Sequence, residues 1–186
     1  MKILKGLLSW LPWISFSIIS NFSVSSAIIV SIIFSLFSYS KLKKGFILEW
    51  TTLLFLTSCF ISMVIFKNDF FIRYKSIFAE TTLASISWIS ILIKHPFTEQ
   101  YAKLQVPKEY WNSFLFLRIN KIMTAIFAII FSLKTLISIY SFYNPKTFNF
   151  SIFFWLILCL QCIFVHKFPS WYKKRYKNKL LSQKQS

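Results

Sequence analysis

Six long apolar runs, separated by short polar stretches, leave this chain few ways to fold. They cover residues 3–19, 22–39, 46–66, 76–93, 120–140 and 148–165. A helix needs about 20 residues, and no fewer than roughly 17, to cross a hydrocarbon core. Backbone groups inside lipid find no water, so an open-ended segment there must be helical. A β-barrel would require strict alternation and frequent turn signals, and these runs are continuous. The expectation is an all-α, polytopic transmembrane helical bundle. Five spans are firm, and an N-terminal sixth segment either spans or re-enters.

That sixth segment carries Lys5 near its start and Pro12 inside it. A proline at mid-helix interrupts the hydrogen-bond ladder. Met1-Lys2-Ile3-Leu4-Lys5 before an apolar stretch also has the form of a signal peptide. The apolar run that follows at once argues for an uncleaved segment packed on the second run. Residues 1–166 therefore read as one transmembrane domain and 167–186 as a basic tail.

The basic residues fall between the runs, and this is where composition matters. The chain holds 22 Lys+Arg against 5 Asp+Glu, a net charge of +17. In a soluble protein such an excess points to nucleic acid. With a mean hydropathy of +0.59 it points instead to the positive-inside rule, so no nucleic-acid partner is expected. Lys41, Lys43 and Lys44, the segment from Lys94 to Arg118 with Lys121, and the tail from Lys167 onward share one side. Lys67, Arg73, Lys75 and Lys146 share the other. The imbalance places the tail in the cytoplasm. Lys173, Lys174, Arg175, Lys177 and Lys179, interleaved with Trp171, Tyr172 and Tyr176, read as a juxtamembrane cluster for anionic lipid of the cytoplasmic leaflet.

Lys5, Glu49 and Lys121 lie at the edges of their runs, and two further charges fall well inside. Glu80 lies four residues into the fourth, and Lys134 six residues from the end of the fifth. Both sit roughly 6–9 Å below the same surface. Charges at such depth are costly. Three readings stay open: Lys134 snorkels to the interface, the two form an ion pair, or they mark a proton or ion path.

The segment Lys94–Arg118 is long and mixes charge with aromatics. His95, Pro96, Thr98, Glu99, Tyr101, Trp111, Arg118 and the adjoining Asn120 form its candidate surface. It reads as an ordered interfacial connector or as a docking site, since loops carry function more often than spans. His95 with Glu99 lacks a nucleophile, so enzyme chemistry is not expected. Cys159, Cys162 and His166 share one helical face at i, i+3 and i+7 but lack a fourth ligand. Buried cysteine commonly acts as a small apolar residue, so no metal is expected. The chain has two glycines, Gly6 and Gly45, and no phosphate-cradling or nucleophile motif. No cofactor is expected.

The loop after the third run reads Asn68-Asp69-Phe70-Phe71-Ile72-Arg73-Tyr74-Lys75. It resembles the Asn-Asp-x-Phe-Ile-basic-aromatic-Lys signature of the bacterial inner-membrane septation protein A family. Leu11-Pro12, Ile119-Asn120 and Asn149-Phe150 fall in the family's order, so the resemblance covers about residues 5–166. The stretch His95–Ala102 and the basic tail depart from it, which suggests a divergent branch. The resemblance implies a multi-pass protein of the bacterial inner membrane, tied to envelope maintenance and septation. Its implied partners are division or wall-synthesis membrane proteins, and it implies no catalytic residues. It also makes Asn68, Asp69, Phe71, Ile72, Arg73 and Lys75 a periplasmic signature loop. Asp69 and Arg73 are four apart and can pair if helical. The alternative reading is a small transporter or channel using Glu80 and Lys134.

Overall fold

The structure is a computed structural model of the full chain and describes residues 8–64, 66, 70–144 and 151–185. It is all-helical, with no strand among those residues. A 3-10 turn at Leu8–Trp10 leads into α1 (Leu11–Ile19), followed by α2 (Val24–Leu36), the short α3 (Tyr39–Leu42) and α4 (Ile47–Val64). Then come α5 (Phe70–Arg73), α6 (Lys75–Leu92), α7 (Phe97–Ala102), α8 (Phe114–Tyr143) and α9 (Ser151–Gln185). A second 3-10 turn, Lys108–Tyr110, begins after Pro107.

Pro12 does not interrupt a helix. It occupies the first positions of α1, where its missing N–H would have no partner anyway. α1 and α2 then form a hairpin. Asn21 donates to the Ser17 carbonyl at 3.0 Å, and Ser23 caps α2 by accepting from the Ser26 amide at 3.3 Å. Ser15 and Ser31 meet across the pair at 2.9 Å, next to the fully buried Ala27. Small residues at such a seam let two backbones approach closely. The second apolar run is shortened here: it folds as 13 residues of α2, about 20 Å of helix. The ladder breaks at Phe37 and Ser38, whose amides bond three residues back, to Phe34 and Ser35, at 3.2 and 3.0 Å.

The fifth run is longer than its hydropathy suggested. Ser113 caps α8 by accepting from the Phe116 amide at 3.3 Å, so the helix starts six residues before Asn120 and runs for 30 residues. Among the described residues it is the one helix long and apolar enough to cross a membrane. α4 and α6 have 18 residues each, about 27 Å. From Ser151 onward α9 carries the sixth run without a break into the basic tail, with Pro169 inside it.

α6 and α8 make the most extensive helix pair, and the α1–α2 hairpin leans on α4. An aromatic layer fills the middle. Trp10 stacks on Phe127 at 5.8 Å and reaches Phe131 at 6.1 Å, and Phe97 meets Phe127 at 5.7 Å. Trp13 stacks on Phe55 at 5.3 Å and bonds Thr52 through its indole N–H at 2.7 Å.

Candidate functional site

Polar groups collect at both ends of this aromatic layer, and one face of α8 records the order. Asn120 and Thr124 lie at one end, Phe127 and Phe131 in the middle, and Lys134 and Ser138 at the other, all buried. Steps of three and four residues keep them on a common stripe.

At the Lys134 end the two charges from inside the apolar runs meet. Lys134 Nζ lies 2.6 Å from Glu80 Oε1, with little exposure on either side chain, and 5.7 Å from the centre of the Phe131 ring. This is the ion pair among the three readings. The other carboxylate oxygen of Glu80 and the hydroxyls of Ser138 and Ser141 are buried without a hydrogen-bond partner. Lys75 reaches the Ser20 carbonyl at the hairpin tip, and burial lowers its ammonium pKa below the usual 10.5. Arg73 is exposed. Asn68 and Asp69 lie outside the described residues, as do the side chains of Phe71 and Ile72. The proposed Asp69–Arg73 pair therefore also lies outside them.

The opposite end holds a cluster centred on Glu49. Ser9 donates to Glu49 Oε1 and Tyr101 to Oε2, each at 2.6 Å. Lys41 Nζ stands 3.6 Å from Oε1, donates to the Ser9 hydroxyl, and lies 5.3 Å above the Tyr101 ring. Glu49, Ser9 and Lys41 are all buried. Burial lowers the Lys41 pKa against the pull of Glu49. Burial first, and then the charge of Glu49, hold the Tyr101 phenol well above 10.

The segment between α6 and α8 is thereby turned inward. Thr98 donates to the Asn120 carbonyl at 3.0 Å and shares a 2.8 Å bond with Thr124. Asn120 in turn donates to the Phe116 carbonyl at 2.8 Å. Gln100 accepts from the Ile47 amide at 2.9 Å and donates to the Gly45 carbonyl at 3.3 Å, where Gly45 adopts φ +72°. Glu99 pairs with Lys103 at 2.5 Å, and Lys103 sits over the Trp111 ring at 5.4 Å. His95 is exposed, whereas Pro96 and Glu99 are buried. Of the residues read as a surface, Thr98, Glu99, Tyr101 and Asn120 are interior contacts, while Arg118 is exposed over the Phe114 ring at 5.5 Å.

Sequence reasoning missed the Glu49 cluster. Lys41 entered only as a topology charge and Glu49 as an edge residue. The available signal was one of five acids three residues inside an apolar run, with a lysine eight positions upstream.

Along α9, Lys173, Lys174, Arg175 and Lys177 are exposed, and the side chain of Lys179 lies outside the described residues. So do those of Cys159 and Cys162, while His166 is exposed. Among the described residues no three His, Cys, Asp or Glu side chains gather as a metal site.

No protein-family model matches the chain, no curated protein matches it, and no solved structure matches it.

Proposed function

We propose that the chain is a multi-pass protein of the bacterial inner membrane that works without catalysis. In this reading it is a packed scaffold of envelope maintenance and septation, acting through partner and lipid contacts, with its basic tail in the cytoplasm. The observation that carries the scaffold reading is the pairing of its buried acids. Each buried carboxylate has its own lysine: Glu49 with Lys41, Glu99 with Lys103, and Glu80 with Lys134. Trp10, Phe97, Phe127 and Phe131 fill the space between the ends. The Glu49–Lys41 and Glu80–Lys134 pairs each join two different helices, so breaking either would strand a buried charge and disfavour other arrangements of the bundle. The link to septation rests on the Asn68–Lys75 resemblance and on the order of the smaller matches around it. Crosslinking and pull-down from native membranes tests it. Recovery of division or wall-synthesis membrane proteins supports it, and their absence sinks it.

A small transporter or channel is the second reading, favoured by the unpartnered Glu80 oxygen and the Ser138 and Ser141 hydroxyls near the ion pair. Buried polar atoms without protein partners are where water or an ion is expected. Ion or proton flux in proteoliposomes that Lys134→Met abolishes would favour this reading over the scaffold.

A further inference from the structure

We propose that the first turns of α8 and the basic extension of α9 together form a site for the headgroup of an anionic phospholipid. Arg118, Lys121, Lys173 and Lys177 supply its cations. The proposal rests on the membrane reading above and adds a place and a ligand to it.

The length of α8 sets the depth. Thirty residues span about 45 Å, which matches a bilayer with its headgroup layers rather than the hydrocarbon core alone. The first two turns of α8, carrying Phe114, Arg118 and Lys121, then lie among headgroups.

Ring contacts bring α9 to the same place. Tyr176 meets Phe114 at 6.4 Å, and Arg118 covers that same Phe114 ring at 5.5 Å. Phe168, Tyr172 and Tyr176 follow one another at four-residue steps and are half-buried, so they form the packed strip of the extension. Lys173 and Lys177 each follow a tyrosine of that strip by one residue and edge it, both exposed. Arg175 is held over Trp171 at 5.4 Å on the other flank. Aromatic rings at the glycerol level with cations reaching past them suit a lipid phosphate.

The charge at this end is not cancelled from within. Glu49 and Glu99 are buried and already paired with Lys41 and Lys103. Glu109 is the exposed acid there among the described residues. The interleaved aromatics at bilayer depth favour a lipid over a nucleic acid or an acidic protein.

The test uses the full chain in detergent, titrated with phosphatidylglycerol and followed by native mass spectrometry. Phosphatidylcholine and inorganic phosphate serve as separate arms. One variant takes a cation from each helix, R118Q/K177Q. The control, K43Q/K44Q, removes two exposed lysines elsewhere at the same end. The expected result is roughly ten-fold weaker phosphatidylglycerol retention in R118Q/K177Q and little change in the control. Equal loss in both variants, or none in the first, overturns the proposal, as does inorganic phosphate binding as tightly as the lipid. Alkaline extraction of native membranes separates the two levels of failure. A wild-type chain that washes off defeats the membrane reading itself, whereas one that stays while R118Q/K177Q keeps its lipid defeats this site alone.

Discussion

Tyr101 on α7 donates its phenolic hydrogen to Oε2 of Glu49 on α4, at 2.6 Å. One bond thus ties the connector before α8 to the start of a core helix. It also leaves a buried carboxylate that depends on donors from two distant segments, Ser9 and Tyr101.

Tyr101→Phe removes one donor and keeps the ring. Hydrogen bonds to charged groups contribute about 1.5–3 kcal/mol, so a loss of that order is expected in thermal unfolding of the solubilised protein. The pH dependence carries a sign. The folded phenol ionises well above the unfolded value of 10. Above pH 10 the unfolded chain therefore releases a proton that the folded chain keeps, and stability falls as pH rises. Lys41 acts in the opposite direction below 10.5, because its folded value is lowered. It is common to wild type and Y101F, so the difference between their stability–pH curves isolates Tyr101. That difference should shrink as pH climbs beyond 10. A difference that grows would contradict the assignment.

Thr98→Val tests whether α7 is docked or merely adjacent. The change removes the bonds to the Asn120 carbonyl and the Thr124 hydroxyl at nearly constant volume, leaving buried polar atoms unpaired. A cost of about 1–3 kcal/mol is expected. Amide exchange should accelerate over residues 97–102 first. Uniform acceleration along the chain would mean α7 carries no latch of its own.

The reach of the sequence can be judged residue by residue. Hydrophobic run length located α4 and α6 well, because a charge or a turn bounds each. It placed the start of α8 six residues late. Arg118 looked like a loop charge, and the start signal that mattered was the cap at Ser113. It misread Pro12, since position within a helix, not presence in an apolar run, decides what proline does. Matched depth brought Glu80 and Lys134 to one level, but depth says nothing of rotation, so the 2.6 Å contact had to come from packing. The Glu49 cluster gathers residues 9, 41, 49 and 101 from four separate elements, and no local periodicity encodes that meeting.

Pro12→Ala follows from its place at the start of α1. A mid-helix proline would be worth about 3 kcal/mol on removal, whereas an N-terminal one changes stability by less than about 1 kcal/mol. Thermal unfolding of P12A should shift little. A large stabilisation would show that Pro12 does strain the helix.

Ser31 has no exposed surface and faces Ser15 across the α1–α2 seam. Ser31→Leu should push the hairpin apart and cost about 1–3 kcal/mol by overpacking. Ser31→Ala should cost less, about 1 kcal/mol, for the hydrogen bond alone. Equal effects would mean the seam is loose enough to take a branched side chain.

The Glu80–Lys134 pair separates the two functional readings through a double-mutant cycle. Replacing one partner of a buried pair strands a charge and costs about 3–5 kcal/mol, whereas replacing both with apolar side chains of similar volume is near neutral. Glu80→Leu and Lys134→Met should each lower the abundance of folded protein, and E80L/K134M should recover it. In a scaffold the recovered double variant still complements a strain lacking the protein, because only the packing of α6 against α8 matters. In a transporter the double variant folds and fails, because the ionisable groups themselves are the path. Folded abundance with complementation, measured in the same cells, distinguishes the two. A double variant that does not recover its fold would show that Glu80 and Lys134 hold more than each other, with the buried Ser138 hydroxyl, one turn along α8 from Lys134, as a polar candidate.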